Sequence, residues 1–497
     1  MTTASVGERI LLGEAEGIEA LLGKPPPASA WDERVVPAAR QAVAAYANGE
    51  FILPRLLASL EVVHRARTYL GSELASRGSI VVATLPGDVH AIGTALLITV
   101  LECAGYTVHD LGMQVPIDTI IDTAVRLHAD AIGLSALLVT SSRQMPLCVQ
   151  ALDARGLDVP VLLGGAAINR AFGRRSAILP DGRTYAAGVF YCRDVFEGLS
   201  AMDMLTDTAE RPRAIERVRR EIEAERDHVA TASPAAVRPI TGSGPRRDME
   251  VPLPPYWGAR RRDADLRDVW RDLDRNTLFR FHWGGYRASE AEYSRLVGEF
   301  FEPALRTLME DALNDGWLQA SIVSGYFPCN RDGDALLVFL DGEEVARLEF
   351  PRQSDGERLC LADYFKPVSS GVRDVVGLQA VTVGPRAAEY VAQLQRQGQY
   401  VRMLLVNGLA SATAEALAEA AHQQTRTELG LAAGRGLRFS WGYAACPDLD
   451  EQRKVLPLLR AEGEIGLRLT ESDTLSPEHS TVAIVVHHPE AKYFAVR

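Results

Sequence analysis

The chain lacks several features that would settle its class at once. No apolar run in its 497 residues reaches the ~18 that a membrane-spanning helix needs, and no basic-then-apolar leader opens it. Met1 to Gly23 instead mix Glu with Leu and Ala, which predicts a cytoplasmic protein with no membrane partner. Positive charge is short: 53 Lys and Arg against 65 Asp and Glu leave a net charge of −12. A general nucleic-acid binder normally carries a basic stripe, so that class is disfavoured. The six cysteines (Cys103, Cys148, Cys192, Cys329, Cys360, Cys446) are scattered without a CxxC or an adjacent pair. That spacing argues against a local zinc–thiolate site and against a disulfide framework. No internal repeat or low-complexity tract stands out.

What remains is ordinary globular composition, 47% hydrophobic and 24% charged, in a chain long enough for roughly two to four domains. From about Trp31 to Ala75 the apolar residues Phe51, Leu53, Leu56, Leu57, Leu60, Val62 and Val63 recur at helical spacing, with Pro54 where a first turn tolerates it. From Gly78 to about Leu199 strands and helices alternate. The strands are read as Ser79 to Leu85, Tyr106 to Leu111, Ala131 to Ser135 and Val159 to Leu163, with helices Ala91 to Ala104, Ile117 to Ala129 and Gln144 to Arg155 between them. This alternation predicts an open, doubly wound α/β sheet, which binds ligands outside the carboxyl ends of its strands. Thr206 to Arg262 begins with a charged helix (Arg211 to His228) and continues in Ala, Pro, Gly, Ser and Arg, a linker composition. Trp257 to Arg497 mixes helices (Ala387 to Arg396, Ser411 to Glu428) with strands (Ala335 to Leu340, Thr481 to Val486).

The loop after the first buried strand reads Pro86-Gly87-Asp88-Val89-His90-Ala91-Ile92-Gly93. A histidine there can offer one ring nitrogen to a metal, while Asp88 accepts a hydrogen bond from the other and fixes the tautomer. Gly93, in the next helix's first turn, leaves room for a large group near the backbone. Ser135-Ala136-Leu137, followed by Thr140 and Ser141, ends the third strand, and Gly164-Gly165 ends the fourth. One elongated ligand could meet all three strand ends. Taken together, these features resemble the cobalamin-binding domain of cobalamin-dependent methionine synthase and related corrinoid proteins, whose DxHxxG…SxL…GG signature is carried by Asp88, His90, Gly93, Ser135, Leu137, Gly164 and Gly165. Ala91 departs from the family's usual Asp, outside the ligand set.

The resemblance implies a base-off cobalamin (methylcobalamin as methyl carrier) with His90 on cobalt. It also implies a His–Asp–Ser relay in which Ser141 is the best-placed hydroxyl and Thr140 the alternative. The stretch from Gly49 to Pro54 and the helix after it look like the family's cap, with Ile52 and Val62 as lid contacts. Near the C-terminus, Arg438 to Pro447 resembles the RxxxGYxxCP motif of the family's activation domain, which binds S-adenosylmethionine (AdoMet). Phe327 to Asn330 with Gly333-Asp334, and Phe350 to Gln353 with Cys360 to Tyr364, resemble two further stretches of that domain. The resemblance carries AdoMet contacts to Arg438, Ser440, Tyr443 and Glu415, and an N-terminal acidic contact to Asp274. An Arg suits a ligand carboxylate through a charge-assisted pair.

The implied layout is a helical-bundle cap (residues 1–75), a doubly wound, Rossmann-like cobalamin domain (76–205), a linker (206–255) and an α+β activation domain (256–497). Neither the zinc-bearing homocysteine domain nor the methyltetrahydrofolate barrel of complete methionine synthases is present. The expectation is therefore a methyltransferase component of a split methionine synthase. Its partners would be separate homocysteine- and methyltetrahydrofolate-binding chains and a flavodoxin-like reductant, for which Arg260, Arg261, Arg262 and Arg267 are a candidate docking surface. A corrinoid shuttle and reactivation protein for other methyl donors is the second reading. A cobalamin-responsive regulator is the third, but no basic recognition helix is seen.

Overall fold

The computed structural model describes residues 5–496 except 25, 28, 72–73, 75, 87–91, 137–138, 167, 232–244, 246–248, 355, 433 and 471–472. Two compact units divide the chain. One comprises Met1–Ser233, Phe279–Pro303 and Val391–Asn407, the other Pro234–Leu278, Ala304–Tyr390 and Gly408–Arg497.

In the first unit, β1 (Ser79–Thr84), β2 (Thr107–Asp110), β3 (Ala131–Ser135), β4 (Val161–Gly164) and β5 (Val189–Tyr191) form an all-parallel sheet. Their order is β2-β1-β3-β4-β5. The chain leaves β1 for β2 on one side and resumes at β3 on the other, which makes the β1/β3 boundary the switch point of the sheet. β1 is a continuous apolar run because both its faces are covered. Ile80 and Val82 join one apolar cluster, and Val81 and Ala83 the opposite one. The fifth strand lies beyond the four strands named from the apolar runs, since Val189–Tyr191 is only three residues long.

The Ile80 face is covered by α1 (Val36–Ala47), α2 (Leu53–Leu70), α3 (Ile92–Cys103) and α4 (Val195–Thr206). On α2 the buried residues Leu56, Leu57, Leu60 and Val63 repeat at three- and four-residue steps, and Pro54 occupies the first turn. The expected linker over 206–255 is helical in its first part. The helix α5 (Glu210–Thr231) buries Ala214 in the α1/α2 core and Ile222 in the opposite one. Ile215 and Val218 pack beside them, so an otherwise charged helix docks through a short apolar stripe.

The expected 256–497 domain is likewise not one contact unit. Tyr400 and Leu404 lie in the α2 cluster. Glu61 Oε1 accepts from the Val401 N–H at 2.8 Å, and Tyr400 Oη lies 3.0 Å from His64 Nδ1. Burial raises the Glu61 pKa, and the backbone N–H groups of Val401 and Tyr400 pull the other way.

The second unit is built on an antiparallel sheet. Its strands are β6 (Gly258–Asp263), β7 (Ser321–Asp332), β8 (Ala335–Leu340), β9 (Glu343–Glu349), β10 (Asp374–Thr382), β11 (Leu437–Ser440) and β12 (Ser480–Val486). The path is β11-β12-β10-β7-β8-β9, and β6 pairs with the first half of β7. All nine residues of β10 are buried. The helix α6 (Tyr400–Glu428) contributes Leu417, Ala418 and Ala421 to the core over Ile322 and Val381. Among the described residues no helix is long and apolar enough to cross a membrane.

Candidate functional site

Register across the parallel sheet brings three strand ends together. Thr84 of β1 pairs with Ser135 of β3, and Ser135 with Gly164 of β4. These residues form one row at the carboxyl edge, at and beside the switch point, where doubly wound sheets bind ligands. Gly165, just past β4, has φ +120°, and a Cβ there would lie 2.0 Å from the Ala136 carbonyl oxygen. Only glycine fits this backbone-on-backbone contact. Among the described residues a Cβ at Gly93, by contrast, would meet nothing within 4 Å. Bare backbone at one end of the row, and a glycine in the first turn of α3, suit the close approach of a large, flat ligand.

Ser141 is buried in the short helix Val139–Ser142, which also contains Thr140. Asp88, His90 and Leu137 lie outside the described residues. Val62 is fully buried in the helical core, and Ile52 is buried at the start of α2. Thr84, not singled out from the sequence, is buried with its Oγ1 3.3 Å from Thr94 Oγ1. The only hint was a hydroxyl ending an otherwise apolar run.

The second unit gathers residues far apart in sequence. Arg438 and Ser440 lie on β11, which pairs with β12, and Tyr443 follows in a tight loop, 70% exposed. The Cys446 thiol donates to the Ser440 carbonyl at 3.1 Å, and burial pushes it up to about 12, so it stays protonated and closes the loop. Arg438 is half-buried, and among the described residues its guanidinium has no carboxylate within 4.0 Å. Glu415 is on the exposed side of α6. Asp274 caps the helix Arg275–Thr277, accepting from the Thr277 N–H and Oγ1.

The other matching stretches form the scaffold behind this loop. Arg352 binds Asp334 and Asp363, and Asp363 also holds Arg331. Gln353 donates to the Ala495 carbonyl at 2.9 Å, and the Val496 N–H donates to the Ala444 carbonyl at 2.9 Å. The chain end is thereby laid along the Tyr443 loop, with the Tyr493 ring 5.2 Å from that of Phe439. Tyr493 is 68% exposed beside the loop, and no sequence pattern had marked it.

The arginines expected to dock a reductant are engaged within their unit. Arg262 forms a bidentate pair with Glu428 and bonds Tyr256 Oη. Arg260 stacks over the Tyr256 ring at 3.9 Å. Arg261 reaches Asp263 and the Glu464 carbonyl, and Arg267 lies 3.9 Å from Asp265.

Comparison with known proteins assigns the strand-end row and the Arg438 loop to two different families. Residues 78–176 match the B12 binding domain family, and residues 288–497 match the activation domain of vitamin B12 dependent methionine synthase. The chain is therefore of the cobalamin-binding class, with cobalamin as its cofactor. The methionine synthases of Mycobacterium tuberculosis (strain ATCC 25618 / H37Rv) and Mycobacterium leprae (strain TN) are each 34% identical over 99% of this chain and 46% of their own length. The chain thus spans about half the length of these relatives, and it corresponds to the C-terminal part of a cobalamin-dependent methionine synthase. A solved structure described as the MetH reactivation domain bound to AdoHcy covers 50% of this chain and 84% of its own, at 25% identity and a TM-score of 0.45.

Proposed function

We propose that the chain is the methyl-carrying and reactivating component of a split methionine synthase. In this reading residues 1–75 act as the helical cap, 76–205 hold cobalamin, 206–255 link the modules, and 256–497 bind AdoMet. Cobalamin, when bound, supplies a metal that carries a methyl group between a donor and an acceptor. The observation that carries the reading is the row Thr84–Ser135–Gly164 with Gly165 against Ala136, at the switch point of a segment that matches the B12 binding family.

The chain's own residues have distinct tasks. His90 presents a ring nitrogen to the metal, Asp88 orients the ring, and Ser141, with Thr140 as alternative, passes a proton to that pair. Gly93, Ser135, Leu137, Gly164 and Gly165 line the groove. Ile52 and Val62 belong to the lid that excludes water above it. Arg438 takes the carboxylate of AdoMet, Glu415 and Asp274 face its cationic groups, and Ser440 and Tyr443 frame the rest. Separate chains would bring homocysteine and methyltetrahydrofolate, and a flavodoxin-like protein would deliver electrons.

The test is spectroscopic. Protein loaded with cobalamin should show the visible spectrum of a histidine-ligated lower face, and His90→Ala should shift it to that of an unligated one. An identical spectrum in the variant would overturn the assignment.

A further inference from the structure

Arg438 is a half-buried cation with a carboxylate nearby that does not neutralise it by contact. The carboxylate is Glu419, one turn beyond Glu415 on α6. Its Oε1 accepts from Gln423 Nε2 at 2.7 Å, and its Oε2 lies 3.3 Å from His422 Nδ1. Burial raises the Glu419 pKa, but the bonds from Gln423 and His422 and the charges of His422 and Arg438 outweigh it and hold the group ionised. Glu419 therefore lies within the field of Arg438, while both its oxygens are turned to helix neighbours.

His422 completes the arrangement. It is buried, and its Nε2 lies 2.8 Å from the carbonyl oxygen of Gly436, two residues before Arg438. A carbonyl only accepts, so Nε2 carries a proton and donates. The other ring nitrogen, Nδ1, faces Glu419 Oε2 at 3.3 Å. The ring then ties the backbone leading into β11 to the carboxylate on α6. Gly436 has φ +80°, and a Cβ there would come 2.8 Å from Leu431, so the bend that presents this carbonyl depends on glycine.

We propose that His422 and Glu419 are positioning residues for Arg438. His422 fixes the approach of β11 to α6 and occupies Glu419, which leaves the arginine's planar N–H fork for the carboxylate of an amino-acid-type ligand. This rests on the AdoMet reading of the Arg438 loop and deepens it. The pair acts only on the carboxylate end of the ligand, not on its nucleoside.

The experiment is calorimetry on the full chain with two probes, AdoMet and methylthioadenosine, which has the nucleoside and thioether but no carboxylate. His422→Ala should weaken AdoMet about tenfold, the loss of one charge-assisted hydrogen bond, and leave methylthioadenosine unchanged. His422→Gln, which keeps a donor for the Gly436 carbonyl, should recover part of the loss. In an Arg438→Ala background, His422→Ala should cost nothing more. If His422→Ala misfolds, His422→Asn serves instead, a polar side chain too short to reach the Gly436 carbonyl, with the same loss of AdoMet binding and the same indifference to methylthioadenosine. Equal weakening of both probes, full additivity with Arg438→Ala, or unchanged AdoMet affinity in a folded variant overturns the proposal. An unaltered chain that binds methylthioadenosine and AdoMet equally, or neither, overturns the reading beneath it.

Discussion

In the parallel sheet of the first unit, Thr84, Ser135 and Gly164 stand in a row because neighbouring strands run the same way and end together. In the antiparallel sheet of the second unit no such edge exists. Arg438 reaches its neighbours because β11 pairs with β12 and His422 of α6 bonds the Gly436 carbonyl. The first candidate site is thus a property of topology, in which backbone room at the strand ends matters most. The second is a property of side-chain contacts made over long sequence distances. Backbone substitutions should therefore damage the first, and charge substitutions the second.

The sharpest way to break that contrast lies at the paired glycines. Gly165→Val would force a Cβ onto the Ala136 carbonyl in a left-handed conformation. A loss of stability above about 3 kcal/mol is expected, together with loss of cobalamin binding. Gly164→Ala, where the nearest atom is the Cys192 carbonyl oxygen at 3.6 Å, should cost less than about 1 kcal/mol. Denaturant unfolding of the two variants checks this, and equal losses would sink the steric account. The converse holds at Arg438. Arg438→Ala should weaken AdoMet by about 1.5–3 kcal/mol and leave cobalamin retention and unfolding unchanged. A shift in the unfolding midpoint would show that the arginine is structural.

This contrast also decides what was legible in the sequence. Apolar runs revealed β1, β3 and β4, because strands buried on both faces leave little else to read. β5 is too short for a run, and α5 spreads its core contacts (Ala214, Ile215, Val218, Ile222) among many charges. The Gly164-Gly165 pair could be seen as a motif, but why the second glycine is obligatory depends on Ala136, just past the neighbouring strand β3. In the second unit, Arg438 and Tyr443 were found by resemblance alone. His422, Glu419 and Tyr493 were given no role, since their meaning comes from contacts with β11 and its loop. The Arg260 to Arg267 cluster could be read as a candidate docking surface, but not its internal pairs, such as that of Arg262 with Glu428.

One device occurs in both units and offers a smaller, paired test. Asp203 is held by Arg40 and the Tyr106 hydroxyl, and Glu428 by Arg262 and the Tyr326 hydroxyl. Burial pushes each carboxylate up, but the hydrogen bonds and the arginine charge prevail and hold each below its usual range. A depressed folded pKa gives stability that is present above the unfolded value and lost as pH falls through the folded one. Asp203→Asn and Glu428→Gln should each cost on the order of 1 kcal/mol near neutral pH and flatten the acid limb below about pH 4.5. Hydrogen exchange should localise the loss, with β2 and α4 reporting Asp203, and β6 and β7 reporting Glu428. An unaltered acid limb in either variant would remove that pair from the account.

The smallest effect carries the most information about the first site, because its sign should change with the ligand. Gly93 lies in the first turn of α3, where a Cβ would meet nothing within 4 Å among the described residues. In the ligand-free protein Gly93→Ala should therefore stabilise slightly, by about 0.5 kcal/mol, through reduced backbone entropy of the unfolded chain. If the open space is where cobalamin passes the backbone, the added methyl group intrudes on the ligand. Cobalamin should then raise the melting temperature of the variant less than that of the unaltered protein. Thermal unfolding with and without cobalamin reads both effects in one series. A variant stabilised equally by cobalamin would mean that the ligand does not approach the start of α3, and the groove would have to be moved towards Ser135 and Gly164.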